Sequence, residues 1–362
     1  MKILQVINNL ATGGAEKLLL ESLPFYVEKG IKMDVLVLNG TSYPFLEALK
    51  NLNCCNVYSL GLHSVYNPIH IFKIIPYFKK YDIVHVHLFP GQYWVVLAKP
   101  LSFSKSKLLF TEHSTSNRRI KNKWLKHLDR FFYHRYDKII CITDQVSDVI
   151  CNYSGLPKNK FTVIQNGVSL SKFKTAQKIS INNLFKDNEP AKKFIIQVSS
   201  FQEPKDQLTL IKSLCYLPSY VKLILVGQGV LKDETEAFVK NRNLSDRVIF
   251  LGLRMDVPQL LKTADIIVLS SKYEGLSLSC IEGMASGRPF IASDVPGLSE
   301  VVKDAGILFE QGNSEELAEK ILQLLRDKNY YDRVVESCQI RAAQYDIQTM
   351  IDKHIALYES LC

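Results

Sequence analysis

Short apolar runs alternate with longer helical patterns from the second residue onward, and this rhythm most limits the folds open to the chain. In the first half the runs fall at 2–7, 33–38, 83–87, 108–111 and 138–142, with a helix-like stretch at 14–29. Apolar runs of this length separated by helices fit parallel strands covered on both faces. The rhythm restarts after Asn188-Glu189-Pro190, at 194–198, 222–226, 248–251, 266–269 and 289–292. Between the two series, 171–188 is polar and without period, so it reads as a linker. The expected fold is α/β, with two Rossmann-like doubly wound domains at 1–173 and 174–346. Apolar residues at 347, 350, 351, 355, 357, 358 and 361 form a near-helical stripe, which would cap the second domain or cross back to the first.

A length of 362 residues exceeds the usual size of one core and agrees with two domains. The composition, 47% hydrophobic and 22% charged, excludes a disordered chain or a fibre. The first residues lack the apolar core and cleavage site of a signal peptide, and no run approaches the roughly 18 apolar residues that cross a bilayer. The expected location is the cytoplasm. The eight cysteines include no CxxC pair and read as buried or incidental thiols rather than disulfides or zinc ligands.

The net charge of +9 is uneven: residues 1–170 hold 21 Lys/Arg against 11 Asp/Glu, and the remainder 24 against 25. A basic first half suits an anionic surface such as membrane lipid or nucleic acid, and equally suits plain solubility. Within it, Arg118, Arg119, Lys121, Lys123 and Lys126 surround Ile120, Trp124 and Leu125. Two readings follow: a basic helix lying on a membrane, or a helix packing Ile120, Trp124, Leu128 and Phe131 into the core.

Three places carry candidate chemistry. Thr12-Gly13-Gly14-Ala15-Glu16 joins the first strand to the first helix, where two glycines let backbone approach a ligand and the helix start favours an anion. It lacks GxGxxG spacing, and Leu38-Asn39-Gly40 supplies no acidic residue after the second strand, which argues against a dinucleotide site. The second place is 270–287. Glu274 and Gly275 fall on the loop after the run 266–269, the next residues open a helix whose amides suit a diphosphate, and Glu282 follows two turns into that helix. A carboxylate there can accept hydrogen bonds from the vicinal hydroxyls of a ribose, although two solvated glutamates would look the same in sequence. The third is His85 and His87, which alternate along one strand and share a face. No third metal ligand is evident near them, so a polar role at the strand end is expected.

Glu274 and Glu282, with seven residues between them, resemble the E-x7-E motif of the retaining glycosyltransferases of family 4. Ala285-Ser286-Gly287-Arg288-Pro289-Phe290-Ile291-Ala292, Asp294-Val295-Pro296-Gly297, Gly13-Gly14-Ala15-Glu16, Phe250-Leu251-Gly252 and Ile164-Gln165-Asn166-Gly167-Val168 are similar to that family's pattern too. The resemblance covers nearly the whole chain and implies the GT-B fold, two Rossmann-like domains facing a cleft. It implies Glu274 beside the donor sugar, Glu282 on the nucleotide ribose, and the amides of Gly275, Leu276, Ser277 and Leu278 on the diphosphate. His113, in Thr111-Glu112-His113-Ser114, resembles the active-site histidine near the donor sugar. Gly227-Gln228-Gly229 resembles a turn near the donor nucleotide.

One departure stands out. The family usually carries Gly-Arg-Leu and then Lys-Gly at the first strand of the second domain, with Arg and Lys gripping the donor phosphates. This chain keeps Lys205, but Ser200 stands where arginine is expected, and Arg254 and Lys272 are the candidate substitutes. A charged hydrogen bond of that kind is worth roughly 1.5–3 kcal/mol.

The expectation is therefore a metal-independent enzyme without cofactor. It moves a sugar from a nucleotide-sugar donor to a saccharide or lipid-linked saccharide with retention of configuration, in surface polysaccharide or glycan assembly. No Asp-x-Asp metal-diphosphate anchor is present, and fixed amides with Lys205 would stabilise the leaving phosphate. The expected partners are donor and acceptor, with an anionic membrane surface at the inner face of the membrane and no nucleic acid. A nucleotide-sugar epimerase of the same shape and a noncatalytic sugar-nucleotide binder are the rival readings.

Overall fold

Each apolar run becomes a strand of a parallel sheet whose two faces are both covered. The computed structural model describes residues 1–113, 125–180 and 192–362. They divide into a first unit, Met1–Gly167 with Ile347–Cys362, and a second, Val168–Asp346.

The first unit contains β1 (Lys2–Ile7), β2 (Lys32–Val37), β3 (Val57–Ser59), β4 (Ile83–His87), β5 (Lys107–Glu112), β6 (Lys138–Cys141) and β7 (Phe161–Val163), in the order β3-β2-β1-β4-β5-β6-β7. Every residue from Ile3 to Ile7 is buried, which is why this strand reads as a continuous apolar run with one interruption, Gln5. Gln5 is in register with Val35 on β2 and His85 on β4.

The second unit contains β8 (Lys193–Val198), β9 (Val221–Val226), β10 (Val248–Gly252), β11 (Ile266–Leu269), β12 (Phe290–Ser293) and β13 (Ile307–Phe309), ordered β10-β9-β8-β11-β12-β13. Strands β3, β7 and β13 escape the sequence reading because each is a three-residue edge strand, too short to show a period.

Residues 168–173, assigned to the first domain by the sequence reading, lie with the second unit. The supposed linker opens with a helix, Leu170–Thr175, whose buried Phe173 holds it to the second unit. It packs on the helices Val257–Thr263 and Leu278–Ala285. Val168 donates its amide to the Tyr345 carbonyl at 2.9 Å, so the two crossings between units are adjacent in the second.

The helix Ile347–Glu359 lies in the first unit against the helix Gly14–Glu28. Its buried face is Ile347, Met350, Ile351, His354 and Tyr358, so the stripe is rotated from the apolar pattern to bring in a histidine and a tyrosine hydroxyl. The Tyr26 ring lies 6.2 Å from that of Tyr358 and 6.3 Å from that of His354.

Of the basic segment, 118–124 lies outside the described residues. The helix Leu125–His134 buries Asp129, Phe132 and Tyr133, leaving Leu128 44% and Phe131 46% exposed. The core reading therefore fails for these two residues. Arg135 covers the Phe131 ring at 4.8 Å. Among the described residues no helix is long and apolar enough to cross a membrane, and all eight cysteines are free thiols.

Because Ile351 is fully buried, Ile351→Ala removes three carbons from the seam between the last and first helices. A loss of about 2–5 kcal/mol is expected. Urea unfolding with hydrogen exchange should show it, with protection falling in the first unit's sheet. A loss below 1 kcal/mol would mean that the seam carries little stability.

Candidate functional site

Parallel strands bring all their following loops to one edge of each sheet, and ligands bind where the strand order reverses. In the second unit that point lies between β8 and β11, and the loops after these two strands carry Lys205 and Glu274. The loops are zipped together. The Asp206 amide donates to the Ser270 carbonyl at 3.1 Å, the Lys272 amide to the Pro204 carbonyl at 2.8 Å, and Lys205 forms an antiparallel bridge with Ser271. Gln197, buried in β8, accepts from the Ser270 amide at 3.1 Å and donates to Ser199 Oγ at 2.9 Å. The Ser271 amide donates to Ser293 Oγ at 3.0 Å, which ties in the end of β12.

The Lys205 ammonium and the Glu274 carboxylate form an ion pair, with side chains only 14% and 10% exposed, and Ser271 Oγ donates to the same carboxylate at 2.7 Å. Gly297 lets a third loop close on them: a Cβ there would stand 2.3 Å from the Glu274 carbonyl oxygen, and its φ of +83° already disfavours a side chain. Gly227 does the same after β9, where a Cβ would meet the Ser199 carbonyl oxygen at 2.0 Å. Its glycine is thus explained by loop packing.

Ser277 caps the helix Leu278–Ala285 without a side-chain hydrogen bond, so the first amides of that helix have no partner within it. Gly275, Leu276 and Ser277 run directly into this start. Because the helix begins at Leu278, Glu282 lies one turn in rather than two, and it is 1% exposed.

The substitutes for the missing arginine are engaged elsewhere. Arg254 follows the edge strand β10 and holds Asp256 through two hydrogen bonds of 2.7 and 2.5 Å. Lys272 pairs with Glu203 at 2.7 Å. Ser200 contributes its carbonyl, which accepts from Gln207 at 2.9 Å.

In the first unit the order reverses between β1 and β4. Gly13 caps the helix that Gly14 opens, and a Cβ on Gly13 would lie 2.2 Å from Glu16 Oε2. The group that sits at this helix start is the chain's own Glu16 carboxyl, and burial raises its pKa.

Beside it, His85, His87, His113 and His354 converge on a cavity also lined by Gln5, Tyr26, Thr111 and Asn166. His87 Nδ1 lies 3.2 Å from His113 Nε2, and His87 Nε2 lies 2.7 Å from Gln5 Oε1. His85 bridges Tyr358 Oη at 2.8 Å and Thr111 Oγ1 at 2.7 Å. The alternating histidines of β4 are thus joined into a buried polar network. Among the described residues no three or more His, Cys, Asp or Glu are grouped to hold a metal ion.

Comparison with known proteins decides the family. The profile of Glycosyltransferase Family 4 matches residues 12–172, and that of Glycosyl transferases group 1 matches 180–340. An uncharacterized glycosyltransferase of Methanocaldococcus jannaschii is 30% identical over 275 residues, covering 74% of this chain and 72% of that protein. The chain belongs to glycosyltransferase family 4. The N-acetylgalactosamine-N,N'-diacetylbacillosaminyl-diphospho-undecaprenol 4-alpha-N-acetylgalactosaminyltransferase of Campylobacter jejuni is 26% identical over 94% of each chain. In fold, this family 4 glycosyltransferase is similar to Anabaena Alr3699/HepE in complex with UDP and glucose, with a TM-score of 0.84 and 22% identity over 99% of each chain. The GT-B fold class is thereby established, and family membership sets aside the epimerase.

The structure of this family 4 glycosyltransferase adds residues that the sequence reading missed. Gln5 and Gln197 are each the one polar residue within the apolar core of a first strand, Ile-Leu-Gln-Val and Ile-Ile-Gln-Val, and that interruption was the available signal. Ser271 and His354 gave none, since a serine on a loop and a histidine on a surface-like helix are ordinary.

Burial holds His113 and His354 down to about 4, and the His85 and His87 rings well below their usual range, with the neighbouring histidines adding to the effect for His85, His87 and His113. The unfolded chain takes up these protons near 6.5 and the native glycosyltransferase does not. The stability due to the neutral rings is therefore complete above pH about 6.5 and falls as pH drops toward 4, by up to about 1.4 kcal/mol per unit for each ring. Urea midpoints should decline from pH 7 to 4.5, less steeply in His354→Gln. An equal slope in that variant would deny His354 its part.

Proposed function

We propose that the second unit binds a nucleoside-diphosphate sugar at its strand-order reversal and transfers the sugar, with retention, to a saccharide or lipid-linked saccharide acceptor. The observation that carries this reading is the Lys205–Glu274 pair beside the uncapped start of the helix Leu278–Ala285. A diphosphate there meets the amides of Gly275 to Leu278 and the Lys205 ammonium, which exchanges one anion for another. Glu274 then faces the donor sugar and Glu282 takes the ribose hydroxyls, while His113 serves as a substrate contact. The bond from the anomeric carbon to the diphosphate oxygen breaks and one to the acceptor oxygen forms on the same face. The acceptor's proton passes to the leaving diphosphate, whose growing charge the amides and Lys205 stabilise.

A uridine diphosphate donor is suggested by the ligands of the Anabaena protein, and a lipid-diphosphate-linked acceptor by the name of the Campylobacter enzyme. With Ser200 in place of arginine, and Arg254 and Lys272 more exposed and turned to other acids, the largely buried Lys205 is the principal side-chain cation of the site. Transfer rates with a panel of nucleotide sugars should be undiminished by chelation of divalent cations. In Lys205→Ala, kcat should fall on the order of 10²-fold, with a smaller rise in donor KM, because the charge on the leaving group grows in the transition state. Wild-type kinetics in that variant, or activity lost on chelation and regained with magnesium or manganese, would overturn the phosphate assignment. Absence of turnover with every donor would favour a noncatalytic binder.

Peripheral binding to the inner face of a membrane is part of this proposal, supported by the basic first half and by Leu128 and Phe131 standing exposed next to Arg135. Retention on vesicles with anionic lipid should fall as salt rises past 0.1 M, where the screening length is about 10 Å. Equal retention on neutral vesicles would remove the electrostatic part.

A further inference from the structure

The polar network of the first unit is a chain of hydrogen bonds with a direction. Gln5 fixes it. Its Nε2 lies 3.3 Å from Met33 Sδ and 3.3 Å from Tyr358 Oη, while its Oε1 lies 2.7 Å from His87 Nε2. A thioether sulfur only accepts, so the amide nitrogen belongs beside Met33 and the oxygen beside His87. His87 must then donate from Nε2, and a neutral imidazole that donates at one nitrogen accepts at the other. Its Nδ1 consequently accepts from His113 Nε2, 3.2 Å away.

The rest of the chain is compatible with this sense. Tyr358 Oη accepts from Gln5 and donates to His85 Nδ1, and His85 Nε2 donates to Thr111 Oγ1. Gln5, His85, His87, Thr111 and Tyr358 are buried, and His113 is the member of the chain that reaches partly into the open. Four strands, β1, β2, β4 and β5, and the returning helix thus converge on the protonation pattern of one ring.

We propose that Gln5 and His87 are positioning residues that hold His113 as its Nε2–H tautomer, so that Nδ1 offers a lone pair to a substrate hydroxyl. This rests on the reading of His113 as a substrate contact. An acceptor nitrogen selects for a hydroxyl that can donate, and it is fixed before substrate arrives, without reorganisation during the reaction. Burial keeps the chain neutral, and a proton on any of its three rings would interrupt it.

The test uses the full-length enzyme labelled with ¹⁵N-histidine, the His113 signals being assigned by their loss in His113→Gln. Long-range ¹H–¹⁵N correlations at neutral pH should show His113 with a protonated Nε2 and a bare Nδ1. In His87→Leu this preference should be lost and kcat should fall about tenfold, the worth of one hydrogen bond, with donor KM within twofold. His87→Gln should restore both, since its amide oxygen can accept from His113 while its nitrogen donates to Gln5. Protonation of His113 at Nδ1 in the wild type, or an unaltered His113 tautomer in His87→Leu, overturns the proposal. A restored tautomer in His87→Gln without restored kcat also overturns it, as far as the reaction is concerned. Wild-type kcat in His113→Gln would instead refute the substrate contact, leaving the tautomer measurement to stand by itself.

Discussion

A parallel sheet covered on both faces confines polar chemistry to one edge, and the layout of this chain follows from that constraint. The strands are filled with apolar side chains because neither face meets water. Backbone and side-chain polar groups that must meet a ligand are left to the loops after the strands, chiefly where the strand order reverses. Two of the residues that break the rule, Gln5 and Gln197, stand in the first strand of each sheet at that reversal. Gln197 spends both ends of its amide on neighbouring loops, and Gln5 on side chains of neighbouring elements.

The two units handle their polar groups in opposite ways. In the second, charge is retained: Lys205 and Glu274 sit almost out of solvent and hold each other. Such a pair gains little net stability, because desolvation offsets the attraction, but it holds both side chains in place. An arriving diphosphate then competes for an ammonium that is already oriented. In the first unit, burial removes charge, and four imidazoles close together remain compatible only by staying neutral. Glu16, folded over the start of the first helix, has its carboxyl pushed up by the same cause.

Long, fully buried strands were legible in sequence because their apolar runs have no other use in a chain of this composition. The three-residue edges β3, β7 and β13 were not, and neither was the helix Leu170–Thr175, which one phenylalanine anchors among polar neighbours. Among the site residues, Glu274, Glu282 and Lys205 stood out through spacing and family resemblance. Their surroundings did not, since the Ser271 bond to Glu274 and the loops behind Gly227 and Gly297 depend on contacts between strands distant in sequence. The pairing of Arg254 with Asp256 is local, two residues apart, yet nothing in the sequence says that the two meet.

The helix Ile347–Glu359 completes a unit whose first strand, β1, is synthesised more than 300 residues earlier. At 5–20 residues per second, the ribosome takes roughly ten to forty seconds to make the second unit, about 180 residues long, before that helix can emerge. Throughout that interval Gln5 and His85 lack the Tyr358 hydroxyl, and Tyr26 lacks the rings of His354 and Tyr358. The first unit thus cannot complete its core until its neighbour has been synthesised.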